Sequence, residues 1–280
     1  MNNIIKFVTG EKIQFLCNHY IGTQKDFAYN PNILKNHKNK CIDIVSINRE
    51  FNNKKLIFCY TSALEKIDIL ISKLKFLKNP FVLIFHNSDT NFNYKDIILF
   101  EKLNLLEKIY TQNMNVIHPK VIPLPIGLPN SQWRHGDLNK FEKIYTSKIP
   151  KSNDIFFNFN ISTSLQIRKE CCDIIKQFDI PWINFKPYYE YLKCLKQYKY
   201  CICPEGNGID THRFWECLYL NVIPICKKNT LVEYYSKYFP IIILDNWNDL
   251  NIKDLLKNYN NYKFNNNLLD FNKIINIYLF

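Results

Sequence analysis

Hydrophobic residues along the chain form short continuous runs that alternate with stretches of helical periodicity. The runs are rich in β-branched and aromatic residues, which is typical of strands buried on both faces. In the first half the predicted strands are residues 13–17, 41–45, 55–60, 81–86, 108–112 and 121–126. In the second half they are residues 154–159, 182–186, 198–203, 222–226 and 240–244. Together with the intervening helices, they predict an α/β fold with parallel sheets.

Helices are predicted between these strands from the spacing of their apolar residues. In residues 62–77 the apolar positions form one stripe, and Ser62 with Glu65 has the spacing of a capping box. Ser62 and Glu65 are therefore expected to begin that helix. Further helices are predicted at residues 164–178, 188–197, 211–220, 230–237 and within 251–280.

A polar, weakly periodic stretch at residues 139–154 interrupts this alternation, which then starts again. We therefore predict two Rossmann-like domains, an N-terminal acceptor-side domain over residues 1–148 and a C-terminal donor domain over residues 149–262. A closing helix in residues 263–280 is expected to pack back on the N-terminal domain.

The chain has 280 residues, is 47% hydrophobic and carries a net charge of +12. This charge favours an anionic or phosphorylated partner. However, the lysines are dispersed and no nucleic-acid-binding motif is present, so we expect no nucleic acid as partner.

The ten cysteines show neither CxxC nor a zinc-finger spacing, which favours buried thiols in a reducing compartment. No apolar window of about 18 residues and no signal peptide is found. These features predict a soluble cytoplasmic protein without a transmembrane span, and they leave peripheral contact with a membrane open.

The segment CPEGNGIDTHRFWE, residues 203–216, combines two glycines with charged and aromatic side chains. Two of the six glycines, Gly206 and Gly208, lie in it between a predicted strand and a predicted helix. Both permit positive φ and close backbone approach, and Asp210 or Thr211 can cap the helix. A helix N-terminus at the carboxyl edge of a parallel sheet suits a phosphate.

Arg213 and Glu216 follow three residues apart on one helical face. Arginine can hold a diphosphate with two hydrogen bonds, and a carboxylate can accept from ribose hydroxyls. An ordinary helix cap with an intrahelical Arg–Glu pair explains the same spacing equally well. The segment lacks the third glycine of a dinucleotide loop and the GK[ST] of a P-loop. His212 and Glu216 have metal-ligand spacing without a third ligand, so no metal site is predicted.

CICPEGNGIDTHRFWECLYLNVIPIC resembles the C-terminal signature of the exostosin-like glycosyltransferases. Similar segments extend the resemblance over about residues 80–250: VIPLPIGLPN, IFFNFNISTSLQIRKECC and LVEYYSKYFPIIILDNW. Asn221 departs from the pattern, because relatives commonly have glycine there.

This resemblance implies the GT-B fold, in which two Rossmann-like domains with parallel sheets face a central cleft. It implies inverting transfer of a sugar from a nucleoside-diphosphate donor, with UDP-linked sugars expected first, to a hydroxyl of a glycan or glycoconjugate. No D-x-D triplet occurs in the chain, so no divalent metal is expected to be required.

A second loop, after predicted strand 154–159, carries Asn160, Ser162 and Thr163, and Arg168 lies one turn into the next helix. We expect Arg168 to contact phosphate, although a capping box of Thr163 with Gln166 would explain the loop alone. The predicted donor-binding residues are Arg213, Glu216, Arg168, Gly206, Asn207, Gly208, Asp210, Thr211 and Asn160.

An inverting transfer needs a base that takes the proton of the acceptor hydroxyl. Asp89 is the first candidate and His86 the second, because both follow predicted strand 81–86; His19 is the third. A loop that only caps the next helix explains residues 86–89 equally well. Residues 133–135, Trp-Arg-His, could line the acceptor side or anchor a linker.

Two alternatives stay open at this point. One is a catalytically inactive carbohydrate-binding or scaffold protein with the same fold. The other is a nucleic-acid-binding α/β protein that uses the positive charge. The donor-type motif favours the enzyme over both.

Overall fold

The computed structural model describes residues 6–44 and 55–278, with side chains described as far as residue 274. The chain divides into two compact units. The first unit is Thr9–Gly136, and the second unit comprises Met1–Val8 with Asp137–Phe280.

The division between Gly136 and Asp137 precedes the predicted boundary at residue 148. Asp137 caps helix Leu138–Thr146 by accepting from the backbone N–H groups of Asn139 and Lys140. Phe141 of that helix packs edge to face on Phe7 and on Tyr219, both in the second unit. This aromatic contact joins residues 137–148 to the second unit.

The first unit contains a six-stranded parallel sheet in the order β2-β1-β3-β4-β6-β8. Its strands are β1 His19–Gly22, β2 Cys41–Asp43, β3 Leu56–Tyr60, β4 Phe81–His86, β6 Leu106–Thr111 and β8 Val121–Pro123. A separate parallel pair consists of β5 Phe92–Asn93 and β7 Met114–Asn115. The helices are α1 Gly10–Leu16, α2 Gln24–Ala28, α3 Pro31–His37, α4 Ile67–Leu74 and α5 Tyr94–Phe100. Residue 45, at the end of one predicted strand, lies outside the described residues.

One predicted strand of the first unit is wrong, because residues 13–17 are mostly helical. Thr9 caps α1 by accepting from the backbone N–H of Lys12, and Ile13 and Gln14 face the interior. A short apolar run is consistent with a strand or with a buried helix. The N-cap formed by Thr9 favours the helix.

The predicted capping box of Ser62 with Glu65 is also wrong. Residues Thr61–Lys66 form a 3₁₀ segment that precedes α4. The hydroxyl of Ser62 donates instead to Oδ1 of Asp26, at 2.9 Å. A partner from a different helix therefore takes the place of the local cap.

The second unit contains a four-stranded parallel sheet in the order β12-β11-β10-β9. Its strands are β9 Asn153–Phe156, β10 Tyr198–Ile202, β11 Ile223–Lys227 and β12 Ile242–Leu244. Its helices are α6 Leu138–Thr146, α7 Leu165–Ile175, α8 Tyr188–Leu195, α9 His212–Tyr219, α10 Thr230–Tyr235, α11 Ile252–Asn258 and α12 Phe271–Tyr278. The core lies on this sheet and includes Trp247, Phe157, Ile202, Ile225 and Ile175.

The strand predicted at residues 182–186 is absent from the described sheet. The backbone N–H of Ile183 donates to the carbonyl of Phe157 at 2.9 Å, and Trp182 packs on the Phe157 ring. Pro181 and Pro187 flank the segment, and neither has an N–H to extend a ladder. The segment is therefore an irregular loop that the hydrogen bond from Ile183 holds beside the end of β9.

The closing segment, residues 263–280, falls within the second unit. Its expected packing on the first unit stays a prediction. Tyr219 of α9 donates its phenol hydrogen to the carbonyl of Leu269 at 2.9 Å. This buried bond ties the C-terminal residues to the second sheet's own helices. None of the helices in the described ranges combines the length and the apolar character that a membrane span needs.

A partly buried lysine is expected to give the second unit a pH-dependent stability. The ammonium of Lys151 donates to the carbonyl of Leu220 at 3.0 Å. Burial, with the nearby charge of Lys196, lowers the pKa of Lys151 to about 7 against the opposing effect of Cys217. Between this value and the ordinary lysine pKa the unfolded chain binds more protons. The free energy of unfolding should therefore rise with pH in that window, and the stabilisation is absent below it.

We expect Lys151→Met to flatten this rise. The lysine can contribute at most about 1.4 kcal/mol per pH unit, and urea unfolding between pH 7 and pH 10 measures it. Lys169→Met is the control, since its exposed ammonium pairs with Asp173 at the surface. Equal slopes for wild type and Lys151→Met would contradict the assignment.

Candidate functional site

The loop after β10, residues 203–211, runs from the carboxyl edge of the second sheet to the N-terminus of α9. Thr211 caps α9 by accepting from the backbone N–H of Phe214, which confirms one of the two predicted caps. Asp210 is buried and accepts from the indole N–H of Trp215 at 2.8 Å. Both side chains therefore fix the loop on the helix, and Asn207 lies exposed at its tip.

Neither glycine of this loop uses the left-handed backbone that glycine permits, and among the described residues Gly127 is the glycine with positive φ. The N–H of Gly206 donates to the carbonyl of Gly208 at 3.0 Å. A Cβ on Gly206 would lie 3.2 Å from Nη2 of Arg168. A side chain at this position would therefore press against the guanidinium of Arg168, which would have to shift by a few tenths of an ångström.

Arg168, on α7, joins the two predicted donor loops. Its Nε donates to the carbonyl of Glu205 and its Nη1 to the carbonyl of Asn160, both at 2.8 Å. The guanidinium lies 5.8 Å from the Phe159 ring centroid. Burial and the charge of Arg213 lower the pKa of Arg168 to about 10, which leaves it charged at neutral pH. The two bonds use two of its five N–H groups.

Asn160 is the N-cap of the 3₁₀ turn that follows it. Its side-chain oxygen accepts from the backbone N–H and the hydroxyl of Ser162, at 3.1 and 2.8 Å. These bonds cap a 3₁₀ turn, Ile161–Ser164, before α7. The predicted capping box of Thr163 with Gln166 is therefore wrong, because the N-cap of α7 is Ser164 and the helix begins at Leu165.

Arg213 lies on the first turn of α9, among aromatic rings. Its guanidinium carbon is 5.2 Å from the Tyr191 ring centroid and 5.8 Å from that of Phe156. Burial alone would lower the pKa of Arg213, but the acidic groups around it, Tyr191 and Cys201 first and Glu216 also, raise it above its usual range. In the described part of the chain the Nη1 atom of Arg213 is buried without a hydrogen-bond partner. Such an atom calls for a ligand or an anionic neighbour.

Glu216 is 4% exposed, and both its carboxylate oxygens accept from α8. The phenol of Tyr188 donates to Oε1 at 2.8 Å, and that of Tyr191 donates to Oε2 at 2.7 Å. The oxygens thus serve two tyrosines instead of an intrahelical pair with Arg213. A ribose would have to use the remaining lone pairs or displace a phenol.

The candidate bases of the first unit differ in position. His86 is fully buried; its Nε2 donates to the carbonyl of Pro125 at 3.1 Å, and its Nδ1 accepts from the N–H of Asn87 at 2.9 Å. Burial lowers the pKa of His86 and keeps it neutral. Asp89 is exposed in the loop beyond, and His19 is half-buried at the start of β1.

The next helix, α5, is capped by a reciprocal pair of Asn93 and Asp96. Residues 86–89 are therefore not its cap. In the segment predicted for the acceptor side, Trp133 and His135 stack with ring centroids 6.4 Å apart.

The structure also brings together three cysteines that the sequence did not single out. The sulfur atoms of Cys201, Cys203 and Cys217 lie within 4.8 Å of one another, all buried. Cys201 lies in β10 and Cys203 directly follows the end of that strand, while Cys217 lies one turn beyond Arg213 on α9. The spacing of Cys201 and Cys203, two residues apart, was the available signal in the sequence. That Cys217 of α9 lies beside them follows only from the fold.

No protein-family model matches the chain, and no curated protein matches it at a significant level. The geometry of the second unit and the sequence motifs are therefore the basis for the proposal that follows.

Proposed function

We propose that the chain is an inverting glycosyltransferase that takes a sugar from a nucleoside-diphosphate donor. The observation that carries the proposal is the pairing of Arg168 and Arg213 beside a loop at the carboxyl edge of a parallel sheet. The charge of Arg213 lowers the pKa of Arg168, so the two guanidinium groups are close enough to interact. Two arginines at such an edge fit a diphosphate.

The proposal follows the exostosin-like motif in its finer points. It includes the GT-B arrangement, a UDP-linked donor and a hydroxyl acceptor on a glycan or glycoconjugate. Residues 203–211 and Asn160 would surround the donor, with Glu216 near the ribose. Arg168 and Arg213 would neutralise the leaving diphosphate, so that no divalent metal is required for transfer.

In an inverting step the acceptor oxygen attacks the anomeric carbon as the bond from that carbon to the diphosphate oxygen breaks. The acceptor proton passes to a base, and the diphosphate leaves with both electrons of the broken bond. Asp89 is the stronger candidate for the base because it is exposed. His86 has both ring nitrogens engaged inside the first unit.

A second function, binding of carbohydrate without transfer, is favoured by one observation. The oxygens of Glu216 are already occupied by Tyr188 and Tyr191. If these bonds persist when a ligand is bound, Glu216 cannot make the ribose contact proposed for it.

A screen against nucleotide sugars distinguishes the two functions. Thermal stability and release of nucleoside diphosphate would be measured for wild type in buffer without magnesium or manganese. The enzyme proposal predicts that one donor raises the melting temperature by mass action and is also turned over. Binding of free glycans without turnover of any donor would favour the binding protein and overturn the enzyme proposal.

A further inference from the structure

The buried thiol trio, Cys201, Cys203 and Cys217, lies beneath the loop of the candidate site. The sulfur atoms of Cys203 and Cys217 are 3.8 Å apart, and all three lie within 4.8 Å of one another. Their residues are at most 5% exposed. Buried cysteines usually serve as small apolar side chains, so the trio needs a further observation to count as a site.

Arg213 supplies that observation. Its Nη1 atom is buried without a partner in the described part of the chain, although guanidinium donors inside proteins are normally hydrogen-bonded. Arg213 precedes Cys217 by four residues on α9, so the two side chains share a face of that helix. Thiolates would give the orphan N–H an acceptor, whereas neutral thiols are poor acceptors.

We propose that Cys201, Cys203 and Cys217 form a three-thiolate site for a divalent thiophilic cation of the zinc class. A cation with sulfur bonds of about 2.3 Å in a trigonal arrangement places the sulfurs about 4.0 Å apart. The distance between the sulfurs of Cys203 and Cys217, 3.8 Å, is close to this value, and the other two distances do not exceed 4.8 Å. Binding releases the three thiol protons to solvent.

Charge selects a divalent cation over a monovalent one. Three thiolates and a divalent cation leave one negative charge, which the guanidinium of Arg213 balances. Copper(I) would leave a second negative charge in a buried place, which is costly. Arg213 would then act as an outer partner that orients the sulfur ligands. The site does not depend on the proposed transfer reaction.

Reduced, metal-free protein titrated with Cd²⁺, a spectroscopic substitute for Zn²⁺, tests the proposal. We expect one equivalent to bind with a thiolate charge-transfer band in the ultraviolet and to be displaced by Zn²⁺. Alanine at any of the three positions should weaken binding at least 100-fold. Cys226→Ala, which removes a buried thiol of β11 outside the trio, should leave binding unchanged.

Because the alanine variants could fail to fold, a second measurement uses the wild-type protein. X-ray absorption of the cadmium-loaded protein should count three sulfur neighbours. Substoichiometric binding, a first shell of oxygen and nitrogen, or unchanged binding in the three alanine variants would overturn the proposal. Tighter binding of copper(I) than of Zn²⁺ would overturn its divalent character.

Discussion

Glu216→Ala is expected to lower the free energy of unfolding by about 3 kcal/mol, the cost of removing one partner from a buried polar network. The change leaves the phenols of Tyr188 and Tyr191 without their acceptor and removes a negative charge near Arg213. Helix α8 would also lose its two hydrogen bonds to α9. Urea unfolding at neutral pH, followed by circular dichroism, measures the effect.

Two further variants make this result specific. Glu216→Gln should cost less, since an amide can accept from one phenol and donate to the other. Glu233→Ala removes an exposed carboxylate that pairs with Lys228, and it should change stability by less than about 0.5 kcal/mol. A loss below about 1 kcal/mol for Glu216→Ala would contradict the network, since even one buried orphan group costs more than this.

Arg168→Ala is expected to reduce kcat/KM for the preferred nucleotide sugar by at least about 100-fold, which corresponds to about 2.7 kcal/mol of transition-state stabilisation. The variant removes a positive charge from the proposed diphosphate site, together with the bonds from Arg168 to the carbonyls of Glu205 and Asn160. Since charge develops on the leaving group in the transition state, kcat should fall more than KM rises.

Arg168→Lys should recover part of the activity, because an ammonium supplies the charge without the planar fork. Lys169→Ala removes the adjacent but exposed charge of α7 and should leave turnover within about twofold. If Arg168→Ala folds and retains turnover within about threefold of wild type, Arg168 does not contact the reacting diphosphate.

The strands could be predicted well where they are long and fully buried. β4 has the predicted bounds, Phe81–His86, because its six side chains are all buried. The run at residues 13–17 was misassigned, since its length suits a strand as well as a helix. The segment at residues 182–186 has strand composition but proline on both sides.

The residues of the candidate site were easier to find than their partners. The spacing of Arg213 and Glu216 placed both on one face of α9, but it could not show that Glu216 reaches Tyr188 and Tyr191 on α8. These tyrosines lie in a different element, and such contacts follow from tertiary packing rather than spacing.

The glycines show the same limit. Their concentration in residues 203–211 marked a loop. Of the two uses that glycine permits, neither residue shows the left-handed backbone, and Gly206 shows the close approach. Gly206 leaves room for Arg168, which comes from another helix. Conversely, Asn221 has φ of 53°, and this left-handed backbone explains why a glycine would also fit that turn.

Arg168 and Arg213 are proposed to form a diphosphate site in the second unit. Titration calorimetry of wild type, without magnesium or manganese, with a nucleoside diphosphate, the matching monophosphate and the free nucleoside tests it most directly. The account predicts saturable binding that weakens at least about tenfold with each phosphate removed, since each would lose a charge-assisted contact. Equal affinity for all three, or no saturable binding of the diphosphate, would contradict it.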